Sequence, residues 1–190
     1  MSKIFFTSDW HFNHDRDFVW AKRGFSSVQE MNEEIIKRHN QLVCSNDIVY
    51  VLGDNCLGGS SAEALAANKK LIERLNGKLI FINGNHCTDK RIEMYHSCKN
   101  CIDAGKDAMR FKYGKYHFFL SHFPMLTANY DEGPKQVLLN LHGHTHQKTN
   151  FMPGLWSNYH VGMDSHNCYP ALLDNIIEEI KMEYQREKGE

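Results

Sequence analysis

Three short apolar runs, Lys3 to Thr7, Asp47 to Leu52 and Lys78 to Ile82, are separated by two segments whose apolar residues recur at helical spacing. Ile48-Val49-Tyr50-Val51-Leu52 and Leu79-Ile80-Phe81-Ile82 are apolar at every position, as in strands buried on both faces. In the first intervening segment, Val28, Met31, Ile35, Ile36, Leu42 and Val43 keep a helical period behind Ser27-x-x-Glu30, which has capping-box spacing. A helix from Val28 to Val43 is predicted. In the second, Ser60-x-x-Glu63 repeats the capping box, and Leu65, Leu71, Ile72 and Leu75 mark one helical face that stops at Asn76-Gly77. Strand, helix, strand, helix, strand is the order of parallel βαβ units, so the first half of the chain predicts a parallel sheet carrying helices.

The pattern then changes. Lys90 to His96 has helical character, and Met109 to Tyr113, Gly114-Lys115 and Tyr116 to Leu120 read as an antiparallel hairpin. Val137 to Leu141 and His160 to Met163 are further strand candidates. From Asp174 as N-cap, Ile176, Ile177, Ile180 and Tyr184 form the stripe of a terminal helix, with Glu187 to Glu190 expected to fray. Phe12 to Phe25 reads as a polar and aromatic loop. No repeat or Pro/Gly/Ser-rich linker interrupts the chain, so residues 1–190 are expected to form one domain, long enough to bury a core without disulfides.

Net charge is -1 with both signs interspersed, which excludes the basic footprint of a dedicated nucleic-acid binder but allows nucleotides at a local site. The N-terminus turns polar too soon for a signal-peptide core, and no run approaches the eighteen or so apolar residues that a membrane span needs. A soluble cytoplasmic protein with reduced thiols is expected. Cys98-x-x-Cys101 lacks both a second ligand pair and a thioredoxin-like context, so its six-cysteine chain is expected to hold ordinary thiols there.

The decisive feature is positional. Five predicted strands each end in a carboxylate, carboxamide or imidazole: Asp9 with His11, Asp54, Asn85 with His86, His122, and His144 with His146. Any one of them could merely cap a turn. Ligands of α/β folds, however, bind beyond the carboxyl ends of strands, so the five groups are expected to converge. In Gly143-His144-Thr145-His146, extended chain would direct both imidazoles to one side, because side chains repeat every two residues. Two carboxylates, four imidazoles and a carboxamide without thiolate suit Mn, Fe, Zn, Ni or Co. Seven ligands exceed the needs of one tetrahedral ion. A bridging carboxylate would allow two cations about 3.5–4 Å apart, the arrangement that clamps an in-line displacement at phosphorus.

The ordered set Asp9-x-His11, Gly53-Asp54-Asn55, Gly84-Asn85-His86, His122 and Gly143-His144-x-His146 resembles the calcineurin-like metallophosphoesterase superfamily over residues 5 to 146. Ser8-Asp9-x-His11-Phe12-x-His14, the Phe25 to Glu33 entry to the first helix and Leu141-His142-Gly143-His144 resemble its small single-domain branch in bacteria and phages. The resemblance implies an α/β fold, a four-layer αββα sandwich of two mixed β-sheets flanked by helices. It implies two divalent ions, with manganese foremost: one held by Asp9, His11 and His146, the other by Asn85, His122 and His144, and Asp54 bridging them. By the same resemblance a metal-bridging water or hydroxide attacks phosphorus. His86 serves as general acid, so that activity falls at high pH, or stabilises the phosphoryl charge. Asn85 and His86 contact substrate, and His14, which matches only the narrower branch, either contacts the substrate phosphate at the rim or is structural.

Two positions depart from the family pattern. Cys87 stands where many members have an acidic residue, and Asn55-Cys56-Leu57-Gly58-Gly59 lacks the Asp that others use to orient the catalytic histidine. The function implied is hydrolysis of phosphomonoesters or phosphodiesters, on a small phosphoester or nucleotide substrate. A nuclease or cyclic-nucleotide phosphodiesterase lies within that class; a catalytically inactive binding scaffold of the same fold is the alternative outside it.

Overall fold

The computed structural model describes residues 2–127 and 132–189. Its first sheet contains β1 (Ile4–Thr7), β2 (Ile48–Leu52), β3 (Lys78–Ile82), β4 (Cys101–Lys106) and β9 (Ala171–Leu172) in the order β4-β3-β2-β1-β9. All neighbours are parallel except β9, which runs antiparallel to β1. The second sheet has the order β5-β6-β7-β8, from β5 (Ala108–Tyr113), β6 (Tyr116–Ser121), β7 (Leu138–His142) and β8 (Asn158–His160). Only β5 and β6 pair antiparallel there, around Gly114-Lys115. The fold is therefore α/β, two mixed sheets flanked by α1 (Asp17–Trp20), α2 (Val28–Leu42), α3 (Ala62–Ile72), α4 (Asp89–His96) and α5 (Leu173–Lys188). Among the described residues no helix is long and apolar enough to cross a membrane.

Alternation along the strands divides the core in two. Phe5, Val49, Val51, Leu79 and Phe81 face α2, α3 and α4, where Met31, Ile35, Ile72, Met94 and Tyr95 meet them. Phe6, Tyr50, Leu52, Ile80 and Ile82 point the other way, toward Phe118, Leu120, Leu139 and Leu141 of the second sheet. Ile176, Ile177 and Ile180 of α5 join this second core. Each fully buried side chain of this size stabilises the fold by about 1.5–3 kcal/mol.

Several expected boundaries shift for local reasons. Ser27 caps α2 by accepting from the Glu30 amide, but the Glu30 carboxylate reaches the Ser26 amide and hydroxyl, one residue outside the predicted box. The cap of α3 is Ser61, which accepts from the Ala64 amide, not Ser60. Strand β9 runs directly into α5, so Leu172 occupies the N-cap position and Asp174 lies in the first turn, where its charge still favours the helix dipole. Residues 187 and 188 are helical and Gly189 takes the left-handed cap (φ 77°), so the expected fraying stops short of them; Glu190 lies outside the described residues. The strand expected at His160 to Met163 ends at His160, because Val161 still bonds His142 but Gly162 leaves to bridge Ser8. Strands β4 and β9, and α1 with the 3-10 turn Ala21–Arg23, carry no apolar period long enough to announce them.

His39, buried on α2, donates from Nε2 to the Asn76 carbonyl at 2.9 Å and packs edge-on against Trp10. Burial lowers its pKa to about 4, although the Asn76 bond works in the opposite direction. A histidine neutral when folded takes up its proton only on unfolding, so this site costs stability as pH falls below its unfolded value near 6.5. Between pH 7 and pH 5 the loss is about 2 kcal/mol from His39 alone. Urea titrations of the wild type and His39→Gln at the two pH values are expected to show this increment in the wild type and not in the variant; equal pH dependence would contradict it.

Candidate metal centre

The parallel strands β1, β2 and β3 deliver their ends to one side of the first sheet, and β6 and β7 do the same in the second. Pairing continues past the strands: Asp9 donates its amide to Gly53 and His11 to Asp54, each at 3.0 Å, and Gly143 donates to His122 at 3.0 Å. The Ser8–Gly162 bridge ties the two sheets together at this level. Polar side chains that follow five strands are thereby confined to one crevice.

Their backbone is not extended. Asp9, His11, Asp54, His144 and His146 all have positive φ, between 49° and 68°. Left-handed backbone costs a non-glycine residue about 1–2 kcal/mol, least for Asn and Asp, and clusters at functional sites. The expected reason for the pairing of His144 with His146 is thus corrected. The two lie beyond the end of β7 in a left-handed turn, and they present different ring atoms, Nδ1 and Nε2.

One group of donors is Asp9, His11 and His146. His11 Nε2 and His146 Nε2 lie 3.2 Å apart, and Asp9 Oδ1 is 3.9 Å from the first and 3.8 Å from the second. Asp9 Oδ2 accepts from the Ser8 hydroxyl at 2.6 Å and the His144 amide at 3.0 Å, whereas Oδ1 is buried without a hydrogen-bond partner. An orphaned carboxylate oxygen facing two imidazole nitrogens fits a cation and little else. Burial raises the pKa of Asp9, so charge there requires compensation.

The second group converges from three other strand ends. His122 Nε2 is 2.9 Å from Asn85 Oδ1, 3.2 Å from His144 Nδ1 and 3.3 Å from Asp54 Oδ2. His144 Nδ1 is 3.0 Å from the same Asn85 oxygen. The Leu52 carbonyl accepts from His122 Nδ1 at 2.9 Å, which turns Nε2 toward the group. Asp54 stands between the groups, since Asp9, Asp54 and His122 also lie within ligand distance of one another. Burial would raise Asp54, but the His122 hydrogen bond and charge hold it at about 2. Burial pushes His11 well below, and His144 below, the usual histidine range, leaving these rings in the neutral, ligating form. Close approach makes two glycines obligatory: a Cβ on Gly84 would collide with Asp54 Oδ1, and one on Gly143 with Ser8 Oγ and Asp9 Oδ2.

His86 and His14 stand at the rim. The His86 amide donates to Asp54 Oδ1 at 3.0 Å, its Nε2 is 3.8 Å from Asp54 Oδ2, and its carbonyl accepts from Arg91. His14 Nδ1 lies 3.3 Å from His11 Nδ1, and its ring is 6.3 Å from that of His86. Both line a cleft of about 420 Å³ with His11, His146, Phe18, Lys22 and Lys148. The two departures from the family pattern act elsewhere: Cys87 Sγ accepts from the Gly84 amide, and Asn55 is wholly buried. Asp54 and Arg91 thus hold the His86 backbone. Cys98 and Cys101 are free thiols bonded to the Met94 and Asp103 carbonyls.

Sequence reasoning passed over one supporting chain. His146 Nδ1 is 2.8 Å from Asp164 Oδ2, and Arg23 grips the same carboxylate through Nε at 3.1 Å and Nη2 at 2.9 Å. Arg23 Nη2 also donates to the Asp9 carbonyl at 2.8 Å. The Asp164 bond raises the His146 pKa, and, against the effect of burial, His146 and Arg23 hold Asp164 well below the usual carboxylate range. Asp164 follows the β8 segment closely, so the strand-end rule could have found it. Nothing local marks Arg23.

The sequence profile of the calcineurin-like phosphoesterases matches residues 2–148. An uncharacterized protein of Methanocaldococcus jannaschii is 34% identical over 187 residues, covering 95% of this chain and 93% of its own. The gene 66 protein of Mycobacterium phage D29 is 30% identical over 210 residues, covering 94% and 96%. Among solved structures, a protein of unknown function from Aquifex aeolicus superposes with a TM-score of 0.67 at 18% identity, over 94% of this chain and 99% of that one, a likeness of fold.

Asp164 lies outside the matched segment, yet it fixes the tautomer and direction of His146. Asp164→Ala is expected to weaken metal binding at the Asp9, His11 and His146 group about 10- to 100-fold, as loss of such supporting carboxylates does. Titration of the metal-free protein with Mn(II) checks this; binding identical to that of the wild type would remove Asp164 from the assembly.

Proposed function

The chain belongs to the calcineurin-like phosphoesterase family, a metal-dependent family, and from that premise we propose that it hydrolyses phosphoesters with two divalent ions. The observation that carries this is the convergence of seven donors, with Asp9, His11 and His146 in one group, Asp54 and His122 within ligand distance of the same Asp9, and Asp9 Oδ1 buried and unpartnered among them. Asp9, His11 and His146 would hold one ion and Asn85, His122 and His144 the other, with Asp54 placed to serve both. Carboxylate, imidazole and carboxamide donors favour manganese, with iron, zinc, nickel or cobalt also compatible.

When bound, the two ions polarise the phosphoryl oxygens and activate the attacking water. The protein's own groups do the rest. Asn85 and His14 orient the phosphate at the crevice. His86, exposed on the open side and fixed through Asp54 and Arg91, donates a proton from its ring to the leaving oxygen or steadies the phosphoryl charge. Asp164 and Arg23 hold His146 in register. The cleft is open enough for monoesters and diesters alike, and small phosphoesters or nucleotides are the substrates proposed. Six free cysteines accord with a reducing, cytoplasmic setting.

Purified protein loaded with Mn(II) is expected to hydrolyse p-nitrophenyl phosphate or bis-p-nitrophenyl phosphate; a protein that binds two ions and turns over neither with any divalent metal is a binding scaffold instead. Asp54→Asn is expected to lower both metal content and turnover by more than about tenfold, and full metal content by elemental analysis would refute the bridge. His86→Ala is expected to keep both ions and to lose about 10²- to 10⁴-fold on substrates with poor leaving groups, but much less on p-nitrophenyl esters. Equal losses on the two kinds of ester would exclude proton donation.

A further inference from the structure

The cleft beside His11 and His86 contains groups that attack on a phosphate does not use. Lys22, from the 3-10 turn, and Lys148, two residues past His146, line it from opposite segments of chain. Both also border an adjoining depression of about 240 Å³, with Ser165 and Asn167 on its wall. Arg23 shares the cleft but is committed to Asp164 and to the Asp9 and Trp10 carbonyls. Asp164 is the cleft's carboxylate, and it is neutralised by Arg23 and His146. No ion pair or hydrogen bond occupies the Lys22 or Lys148 ammonium among the described residues. Two cations thus stand uncompensated in a protein whose net charge is -1.

Phe18 forms the third element. Its ring meets His14 edge-on, 5.7 Å between centroids at 87°, and it is 57% exposed, leaving an aromatic face open to the cleft. An exposed aromatic face beside paired ammonium groups matches a planar base and a phosphate. The volume lies within the range of small-ligand sites, about 300–1,000 Å³.

We propose that this cleft is a binding subsite for a nucleotide carrying a second phosphate. The reacting phosphate sits at the donor groups, the base lies on Phe18, and the second phosphate is held between Lys22 and Lys148. The proposal rests on the phosphoesterase reading for the placement of the first phosphate, and extends it to a substrate class: bisphosphorylated nucleosides in preference to simple monoesters.

Isothermal calorimetry on the Mn-loaded full chain tests it with two analogues whose ester oxygens are replaced by methylene, which blocks turnover: the 3',5'-bisphosphonate of adenosine and its 5'-phosphonate. The bisphosphonate is expected to bind at least about tenfold more tightly, since each charge-assisted contact is worth about that much. Lys22→Ala and Lys148→Ala are each expected to erode that preference while leaving 5'-phosphonate affinity unchanged. Phe18→Ala is expected to weaken both analogues by about fivefold or more. Equal affinities for the two analogues in the wild type, or lysine variants that weaken both alike, overturn the subsite. Hydrolysis of p-nitrophenyl esters without discrimination between the analogues leaves the phosphoesterase standing and removes the subsite; discrimination without any hydrolysis does the reverse.

Discussion

Two carboxylates buried at the ends of adjacent parallel strands, Asp9 and Asp54, set the terms for everything around them. A buried carboxylate must be paired, hydrogen-bonded or neutralised. Each of the two receives part of what it needs from the protein: Asp9 from the Ser8 hydroxyl and the His144 amide, Asp54 from the His86 amide and the His122 ring. Neither set is complete, and Asp9 Oδ1 remains without a partner. The imidazoles that face the carboxylates are themselves anchored from behind, His122 by the Leu52 carbonyl and His146 by Asp164. What is preorganised is therefore a negatively charged, donor-rich hollow with rigid walls, of the kind that could hold a metal ion.

Rigidity has a local origin in the backbone. Left-handed residues at the ends of β1, β2 and β7 turn the chain sharply just where a donor is needed. The surrounding structure holds them there: interstrand hydrogen bonds persist past the strand ends, and Gly84 and Gly143 let neighbouring chains approach the carboxylates more closely than any side chain would permit. The open side of the hollow carries softer constraints. His86, His14, Phe18, Lys22 and Lys148 line the cleft from short turns and exposed segments that core packing does not hold.

The readable parts of this chain were those with strong periodicity. Strand β3 ends as its apolar run predicts, α2 differs by one residue, and β5 and β6 pair as the Gly114-Lys115 turn implies. The short two-residue β9 and the mostly polar β4 escaped, because neighbouring strands and helices, not their own side chains, define them. Caps moved by one residue at α3 and by two at α5, since two serines compete at one end and a strand abuts the other. The eight strand-end candidates lie in one crevice with His14 at its rim, but the geometric rationale for the His144–His146 pair did not hold: left-handed turns, not extended chain, aim those rings.

By itself, the sequence determined the parallel βαβ frame and the identity of the donors, because buried-strand composition and chain order are local properties that each residue carries with it. Only the tertiary structure decided which ring nitrogen each histidine presents, and that Asp164 and Arg23 stand behind His146. Those outcomes depend on contacts across 59, 18 and 141 residues of chain respectively for Asn85–His144, His146–Asp164 and Arg23–Asp164. Side-chain direction and pairing over such separations are set by how two sheets pack, and no local pattern encodes that.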